Sequence, residues 1–375
     1  MPNFLLKNYL VAMGGLFLLI SFIIQICSYD NISMSLYKAF EGMVFLKAVI
    51  IYVVAMEVLK TSILNRSAFK SLFFVQENAS NIETKTLSLI CAFPFGLGVS
   101  SFLKGLSAGE IDTKTISRGL TASMLLYPTT LASAYIFDFF KIDDLLSVFA
   151  IGAPICILML LPSFGGLSSC IVNKRLFKVV LCFATMNIAY LYAASLLVSG
   201  SILIKQSIFF ILLSMIFKKN VLSHWADMKA TMLKQIFFFV GVGAFSFSFI
   251  PLINTFDATA VLELLGPELI LVVPIVIVPM LSIFLLHPLV LFIAFSQVFT
   301  EPMLSSGFSY QQMCIAWVVM IINSQLLSPV SLATVMASFN TNTNIFTESF
   351  IKHYKYVIFI SSISITYLLL LRSIN

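Results

Sequence analysis

Hydroxyl and amide side chains flank two prolines that interrupt long apolar segments of this sequence. Pro128 interrupts the segment 113–137, and Pro329 interrupts the segment 311–338. A proline within a helix removes one backbone donor and frees the carbonyl four residues earlier. Two interpretations are open. The hydroxyls heal a kinked helix, or the helix unwinds and its backbone groups and hydroxyls bind a solute or a cation.

Each broken segment follows another apolar segment that is itself broken in its middle. The segment 87–108 contains FPFGLGVSS, whose glycines permit a tight turn, and the segment 269–299 contains three prolines and His287. We interpret both as re-entrant hairpins. His287 is either a titrating group or a packing residue. Asn323 and Gln325 add amides beside the second break. The candidate substrate- or ion-binding residues are the hydroxyls of the breaks and hairpins: Ser100, Ser101, Thr129, Thr130, Ser133, Ser296, Ser328, Ser331 and Thr334.

The two breaks resemble each other in sequence. Residues 125–134 read LLYPTTLASA and residues 326–335 read LLSPVSLATV, so the frame L-L-x-P-x-x-L-A-[ST] recurs at an offset of 201 residues. Chance similarity between leucine-rich segments is the alternative to a repeat. An odd number of predicted crossings separates the hairpins, which predicts opposite orientations for the two copies. Inverted repeats with broken helices are typical of secondary transporters. We therefore predict repeats at 1–171 and 201–375, joined by a linker helix in 172–200.

Composition indicates the environment of these segments. Hydrophobic residues make up 60% of the 375 residues and charged residues only 10%, whereas a soluble domain has about 25% charged residues. We predict an all-α polytopic membrane protein with an inverted-topology repeat, about nine spanning helices, two re-entrant hairpins and two proline-broken helices. The unbroken spans are predicted at 9–29, 41–59, 145–171, 176–198, 201–217, 236–254 and 355–372.

The basic residues indicate orientation. Lys and Arg cluster in the loops 60–86, 173–178 and 218–234, which we predict to be cytoplasmic, together with the N-terminus. The loops 138–144 and 254–268 are poor in Lys and Arg and are predicted to be external. The net charge of +6 does not indicate nucleic-acid binding, because the basic residues lie in short clusters between apolar runs. Within the second predicted span, Lys47 and Glu57 lie too far apart to pair, so neither is assigned to the site. Lys205 is likewise not assigned.

The residues around the two breaks resemble a known family. The stretches FPFGLGVSSFLKG and SRGLTASMLLYPTTLA in the first half, and VPMLSIFLLHPLVLFIAF and SQLLSPVSLATVMASF in the second, are similar to permeases of the ion transporter superfamily. The similarity covers roughly 85–140 and 270–340. It is greatest to a group of bacterial and archaeal permeases, and more distant to the large membrane subunits of TRAP transporters and to divalent-anion symporters. The hairpins lack the Ser-Asn-Thr signatures of the dicarboxylate symporters, and the second hairpin is poor in glycine.

This resemblance implies a secondary active transporter in the bacterial inner membrane. It implies a small anionic solute, alternating access, and coupling to Na⁺ or H⁺, with no other cofactor. A homodimer is left open. The six cysteines lie in apolar runs, and no HExxH, GxSxG or phosphate-binding glycine loop is present, so we do not expect an enzyme or a metal centre. Two alternatives stay open: a non-transporting membrane subunit of an envelope assembly or secretion machine, and a membrane enzyme that acts on lipid-linked substrates.

Overall fold

The structure of this chain is a computed structural model, and the part that it describes is entirely helical in its regular secondary structure. The described residues are 8–28, 32–64, 113–125, 130–142, 144–160, 182, 185–194, 200–216, 225–254, 266, 269–284, 286–331, 334 and 344–374. The first predicted hairpin, 87–108, and the predicted loop 173–178 lie outside these residues, as does nearly all of 254–268. The helices are α1 Tyr9–Ser28, α2 Ile32–Phe45, α3 Lys47–Leu64, α4 Thr113–Ala122, α5 Leu131–Phe139, α6 Leu145–Leu160, α7 Ile202–Met215, α8 Trp225–Asn254, α9 Val273–Phe284, α10 Pro288–Ser305, α11 Tyr310–Leu327 and α12 Thr347–Ile374.

Four of the described helices are long and apolar enough to cross a membrane. They are α1, the part Met228–Pro251 of α8, α10 and α12. The pair α2 and α3 forms a fifth if the two helices, bent by 41° relative to each other, are counted as one span. The prediction of an all-helical membrane protein is therefore confirmed. The number of nine spans, the inverted repeat and the re-entrant hairpins stay predictions.

The distribution of buried and exposed residues on helix α1 is that of a helix that faces lipid. Its buried residues are small or polar with one exception: Gly14, Phe17, Ser21 and Gln25. Four of its large aliphatic residues are exposed: Leu16, Leu19, Ile23 and Ile26. A helix on the surface of a soluble protein does the opposite, because water favours burial of the aliphatic side chains. In a bilayer, small and polar residues are the ones that bring helices together.

The buried face of α1 packs along α8. Ser21 Oγ lies 2.7 Å from Ser248 Oγ, and the Gln25 side-chain amide donates a 2.9 Å hydrogen bond to the same hydroxyl. About two turns from Ser21, towards the cytoplasmic end predicted for α1, the backbones of Gly14 and Gly241 are in direct contact. Two glycines permit this approach because neither carries a Cβ. The seam therefore joins helices that lie more than 200 residues apart in sequence.

Helix α11 lies at the centre of the bundle and positions one of the two breaks. It packs against α4, α5, α6, α9, α10 and α12. A capping box begins the helix, because the Ser309 hydroxyl accepts from the Gln312 amide while the Gln312 side chain accepts from the Ser309 amide. Every side chain from Gln312 to Leu327 is buried except that of Gln325. Gln325 is less buried than its neighbours because α11 borders a cavity at this residue.

The second predicted span differs from its prediction. The run 41–59 is divided between α2 and α3, which meet at Leu46, and α3 continues to Leu64. Lys60, which the sequence analysis placed in a cytoplasmic loop, therefore lies within a helix. The physical reason is a partner one turn back: Lys60 pairs with Glu57, and an i,i+3 ion pair stabilises a helix and partly neutralises its two charges.

The second predicted hairpin is built from two helical arms. Helices α9 and α10 both pack on α11, and the chain leaves the helical conformation between them, at residues 286–287. Pro288 is the first residue of α10, where a missing backbone donor costs nothing, and His287 is the N-cap. Helix α10 extends to Ser305, beyond the predicted end at residue 299.

Candidate functional site

The first break is closed by two hydroxyls. Helix α4 ends in a short 3₁₀ turn at Leu125, and α5 begins after Thr130, whose backbone is extended (φ −75°, ψ 140°). Thr130 Oγ1 accepts a 3.3 Å hydrogen bond from the Ser133 amide and donates a 2.8 Å bond to Ser133 Oγ. Ser133 Oγ in turn donates a 2.6 Å bond to the carbonyl of Met124. That carbonyl is the one four residues before Pro128.

The second break is closed in the same way. Helix α11 ends at Ser328, whose backbone is extended (φ −76°, ψ 124°). Ser331 Oγ donates a 2.7 Å bond to the carbonyl of Gln325, four residues before Pro329. It also accepts a 3.2 Å bond from the Thr334 amide and lies 3.0 Å from Thr334 Oγ1.

The two breaks thus share a local structure as well as a sequence. At the offset of 201 residues, Thr130 corresponds to Ser331 and Ser133 to Thr334, and each pair joins a hydroxyl to an amide three residues later. In both copies a hydroxyl satisfies the carbonyl that the proline frees. Ser133 and Ser331 donate their hydroxyl protons to the freed carbonyls, which is what the kink-healing interpretation expects.

The structure brings some of the predicted site residues together. Thr130 and Ser331 line one cavity, and Ser133 and Thr334 support them through hydrogen bonds. The other described candidates do not line this cavity. Ser328 Oγ lies 3.5 Å from the Leu286 carbonyl, and Ser296 is buried within α10, where its hydroxyl oxygen has no hydrogen-bond partner among the described residues. Three candidates lie outside the described residues: Ser100, Ser101 and Thr129.

The cavity has a volume of about 180 Å³ and lies where α3, α4, α5, α8, α10 and α11 meet. Its walls are mostly aliphatic and aromatic. Its polar lining residues are Glu57, Lys60, Ser123, Thr130, Thr231, Gln235, His287, Gln325 and Ser331. Pockets for drug-sized ligands have volumes of about 300–1,000 Å³. The cavity is therefore of a size for a solute of a few carbon atoms.

An ion pair lies in the cavity wall. Lys60 Nζ is 2.9 Å from each carboxylate oxygen of Glu57, and the Glu57 side chain is only 4% exposed, against 23% for Lys60. Neither residue was predicted for the site, because Glu57 was paired in sequence with Lys47, ten residues earlier and too far away. The i,i+3 spacing to Lys60 was the available signal, since an ionisable residue in an apolar run needs a partner.

Two glutamine side chains face the cavity with one atom unsatisfied. The amide oxygens of Gln235 on α8 and Gln325 on α11 are buried and accept no hydrogen bond from the described part of the chain. An unsatisfied buried polar group costs about 1–3 kcal/mol, so such a group calls for a ligand or a bound water. Gln325 was among the amides noted beside the second break. Gln235 was missed, although it lies at the border of an apolar run.

His287 has a capping role that also fixes its protonation. Its Nδ1 accepts a 3.2 Å hydrogen bond from the Leu289 amide, and its ring packs edge-on against Phe238 at 5.1 Å. A nitrogen that accepts a hydrogen bond carries no proton, so the ring is neutral and its proton is on Nε2. His287 therefore packs as one interpretation expected, and it also lines the cavity.

The arrangement offers recognition groups. The lining combines an ammonium group paired with a carboxylate, a neutral imidazole and two amides, which offers a small anion one cation and several neutral hydrogen-bond partners. Within the described residues, no group of three His, Cys, Asp or Glu side chains could hold a metal ion. No protein-family model matches this sequence, and the comparison with curated proteins finds no match. The resemblance to permeases therefore enters only as a proposal.

Proposed function

We propose that this chain is a secondary active transporter of the ion transporter superfamily that carries a small anionic solute across the bacterial inner membrane. The observation that supports this most is the cavity into which both breaks project, with Thr130 of the first copy and Ser331 of the second in its wall. A cavity between helices of an apolar bundle, bordered by polar side chains of both breaks, is where a transporter binds its solute. Coupling to Na⁺ or H⁺ and alternating access belong to the same proposal.

The N-termini of two helices and the turn after the second break also favour binding of an anion in the cavity. The first residues of α5 and α10 line the cavity, and so does Ser331, which caps the turn after the second break. Amide groups at a helix N-terminus favour negative charge. We assign the anionic group of the solute to Lys60, and its neutral polar groups to Gln235, Gln325 and the Nε2 proton of His287.

The rest of the predicted architecture belongs to this proposal. Repeats at 1–171 and 201–375, with a linker in 172–200, would place the two breaks on opposite sides of a pseudo-twofold axis. One bundle would then move relative to the other and expose the cavity to each side in turn. The shared hydrogen bonds of the two breaks support a common origin for the two copies.

The non-transporting membrane subunit remains the second candidate. It is favoured by one observation: Ser133 and Ser331 satisfy the two freed carbonyls, as hydroxyls that only heal kinks would. It does not explain why two unsatisfied amide oxygens and an ion pair border a cavity.

Uptake by proteoliposomes tests the proposal. The purified chain is reconstituted and offered radiolabelled acetate, lactate, succinate and citrate under an inward Na⁺ gradient and, separately, an inward proton gradient. We expect uptake of at least one anion above that of protein-free liposomes, and its reduction at least tenfold in the variant Gln325→Leu. Gln297→Leu, which changes an exposed glutamine of α10 outside the cavity, is the matched control. A folded wild-type protein that transports none of the four under either gradient would favour the membrane subunit.

A further inference from the structure

The charged side chains that line the cavity indicate which ion is coupled to transport of the solute. Among the described residues that line the cavity, Glu57 and Lys60 are the two charged side chains, and they form one ion pair. His287 is neutral because its Nδ1 accepts a hydrogen bond. The described lining of the cavity therefore carries one negative and one positive charge, which cancel.

A bound anion would upset this balance. If the anion contacts Lys60, the cavity holds two negative charges and one positive charge between largely apolar walls. An uncompensated charge in such surroundings is unfavourable, and two carboxylates that share one cation favour protonation of one of them. Neutralisation of one carboxylate restores a net charge of zero.

Other titratable groups on the neighbouring helices lie outside the lining of this cavity. The charged side chains among them that the structure describes are Lys229 and Lys234 on α8, Lys205 on α7, Asp138 on α5, Lys47 on α3, Arg118 on α4 and Glu301 on α10. Lys205 and Asp138 line a separate surface depression, where the Asp138 carboxylate accepts hydrogen bonds from Ser201 and from the first amides of α7. Glu57 is thus the carboxylate that the described part of the chain places against a bound solute.

We propose that the proton is the coupling ion and that Glu57 carries it. This inference rests on the proposed transport function. An anionic oxygen of the solute replaces the Glu57 carboxylate at Lys60 Nζ, and a proton from water forms an O–H bond at a Glu57 oxygen. On the other side of the membrane that O–H bond breaks, the proton returns to water, and the carboxylate displaces the solute from Lys60. One proton crosses with each anion, so transport of a monoanion is electroneutral.

The stoichiometry predicts a pH dependence. Because binding of one anion takes up one proton, the apparent Kd should rise about tenfold for each unit of pH. In Glu57→Gln the amide oxygen still accepts from Lys60, but no proton can be carried. Its apparent Kd should not change with pH, and it should exchange anions without accumulating them.

The experiment uses the full chain in proteoliposomes. The probe is whichever of acetate, lactate, succinate and citrate the wild type takes up, and an enclosed pH dye records proton entry. We expect one proton per anion in the wild type and none in Glu57→Gln. Glu41→Gln is the matched control, because Glu41 forms an i,i+3 pair with Lys38 that is partly exposed on α2. It should behave as the wild type does.

The outcomes separate this inference from the function on which it rests. Uptake without proton entry, uptake driven by Na⁺ alone, or unchanged coupling in Glu57→Gln would overturn the role of Glu57 and leave transport intact. Absence of uptake of all four probes by the wild type would overturn both. The dye measurement on the wild type decides the coupling ion even if Glu57→Gln does not fold.

Discussion

Ser331 Oγ donates a 2.7 Å hydrogen bond to the carbonyl of Gln325, the acceptor that Pro329 deprives of its helical partner. In the first half, the carbonyl freed by Pro128, that of Met124, accepts instead from Ser133, which occupies the position of Thr334 in the second half. The side chain of Gln325 meanwhile faces the cavity with an unsatisfied oxygen. Gln325 thus has a backbone carbonyl that accepts a hydrogen bond and a side-chain oxygen that accepts none from the described part of the chain.

The hydroxyls that close the breaks should be needed for stability. Ser331→Ala and Ser133→Ala each leave a buried carbonyl without its donor, which should lower the free energy of unfolding by about 1–3 kcal/mol. Thermal unfolding in detergent measures the change. Ser362→Ala is the control, because that exposed hydroxyl only adds a second bond to a carbonyl within α12. An unchanged melting temperature for Ser331→Ala would mean that the break does not depend on this bond.

The unsatisfied glutamines should behave in the opposite way. Gln235→Leu and Gln325→Leu remove a buried oxygen that has no partner, so the melting temperature should stay the same or rise. Uptake should nevertheless fall. Asn323→Leu is the contrast, because its amide donates bonds of 2.9 Å to the Ile275 carbonyl and 3.0 Å to Ser361 Oγ. That variant should be less stable. Destabilisation by either glutamine substitution would assign the amide a structural role.

Two adjacent glycines of α1 should respond differently to a methyl group. A Cβ at residue 14 would lie 2.9 Å from the Phe237 carbonyl oxygen and from Phe238 Cα, both of them backbone atoms of α8. At Gly15 the nearest atom would lie 3.9 Å away. We expect Gly14→Ala to cost about 1–3 kcal/mol and Gly15→Ala to be tolerated. Equal melting temperatures would contradict the close α1–α8 contact.

The orientation predicted from basic residues can be tested at two exposed lysines. In a cysteine-free background, Lys141→Cys should react with a membrane-impermeant maleimide from outside, and Lys229→Cys should react only after the membrane is opened. Asp257→Cys should also react from outside. Reaction of residue 257 only from the cytoplasmic side would contradict the arrangement with two hairpins.

The sequence predicted local features better than contacts across the bundle. The two proline breaks and their hydroxyls were found because a freed carbonyl needs a donor a few residues away, which is a local requirement. The cavity was only partly predicted, because Gln235 reaches it from a helix about 90 residues before Gln325. Lys60 was misplaced because counting basic residues by loop treats any lysine at the end of an apolar run as a boundary.

The seam between α1 and α8 has a consequence for the order of assembly. Gln25 and Ser248 lie 223 residues apart. At a synthesis rate of about 5–20 residues per second, α1 is made about 10–45 s before its partner. During that interval α1 stays in the bilayer through its aliphatic face alone, because Ser21 and Gln25 cannot yet form their hydrogen bonds with Ser248. Helix α1 then diffuses laterally in the plane of the membrane. Its packing is complete only when α8, which the ribosome makes much later, binds to it.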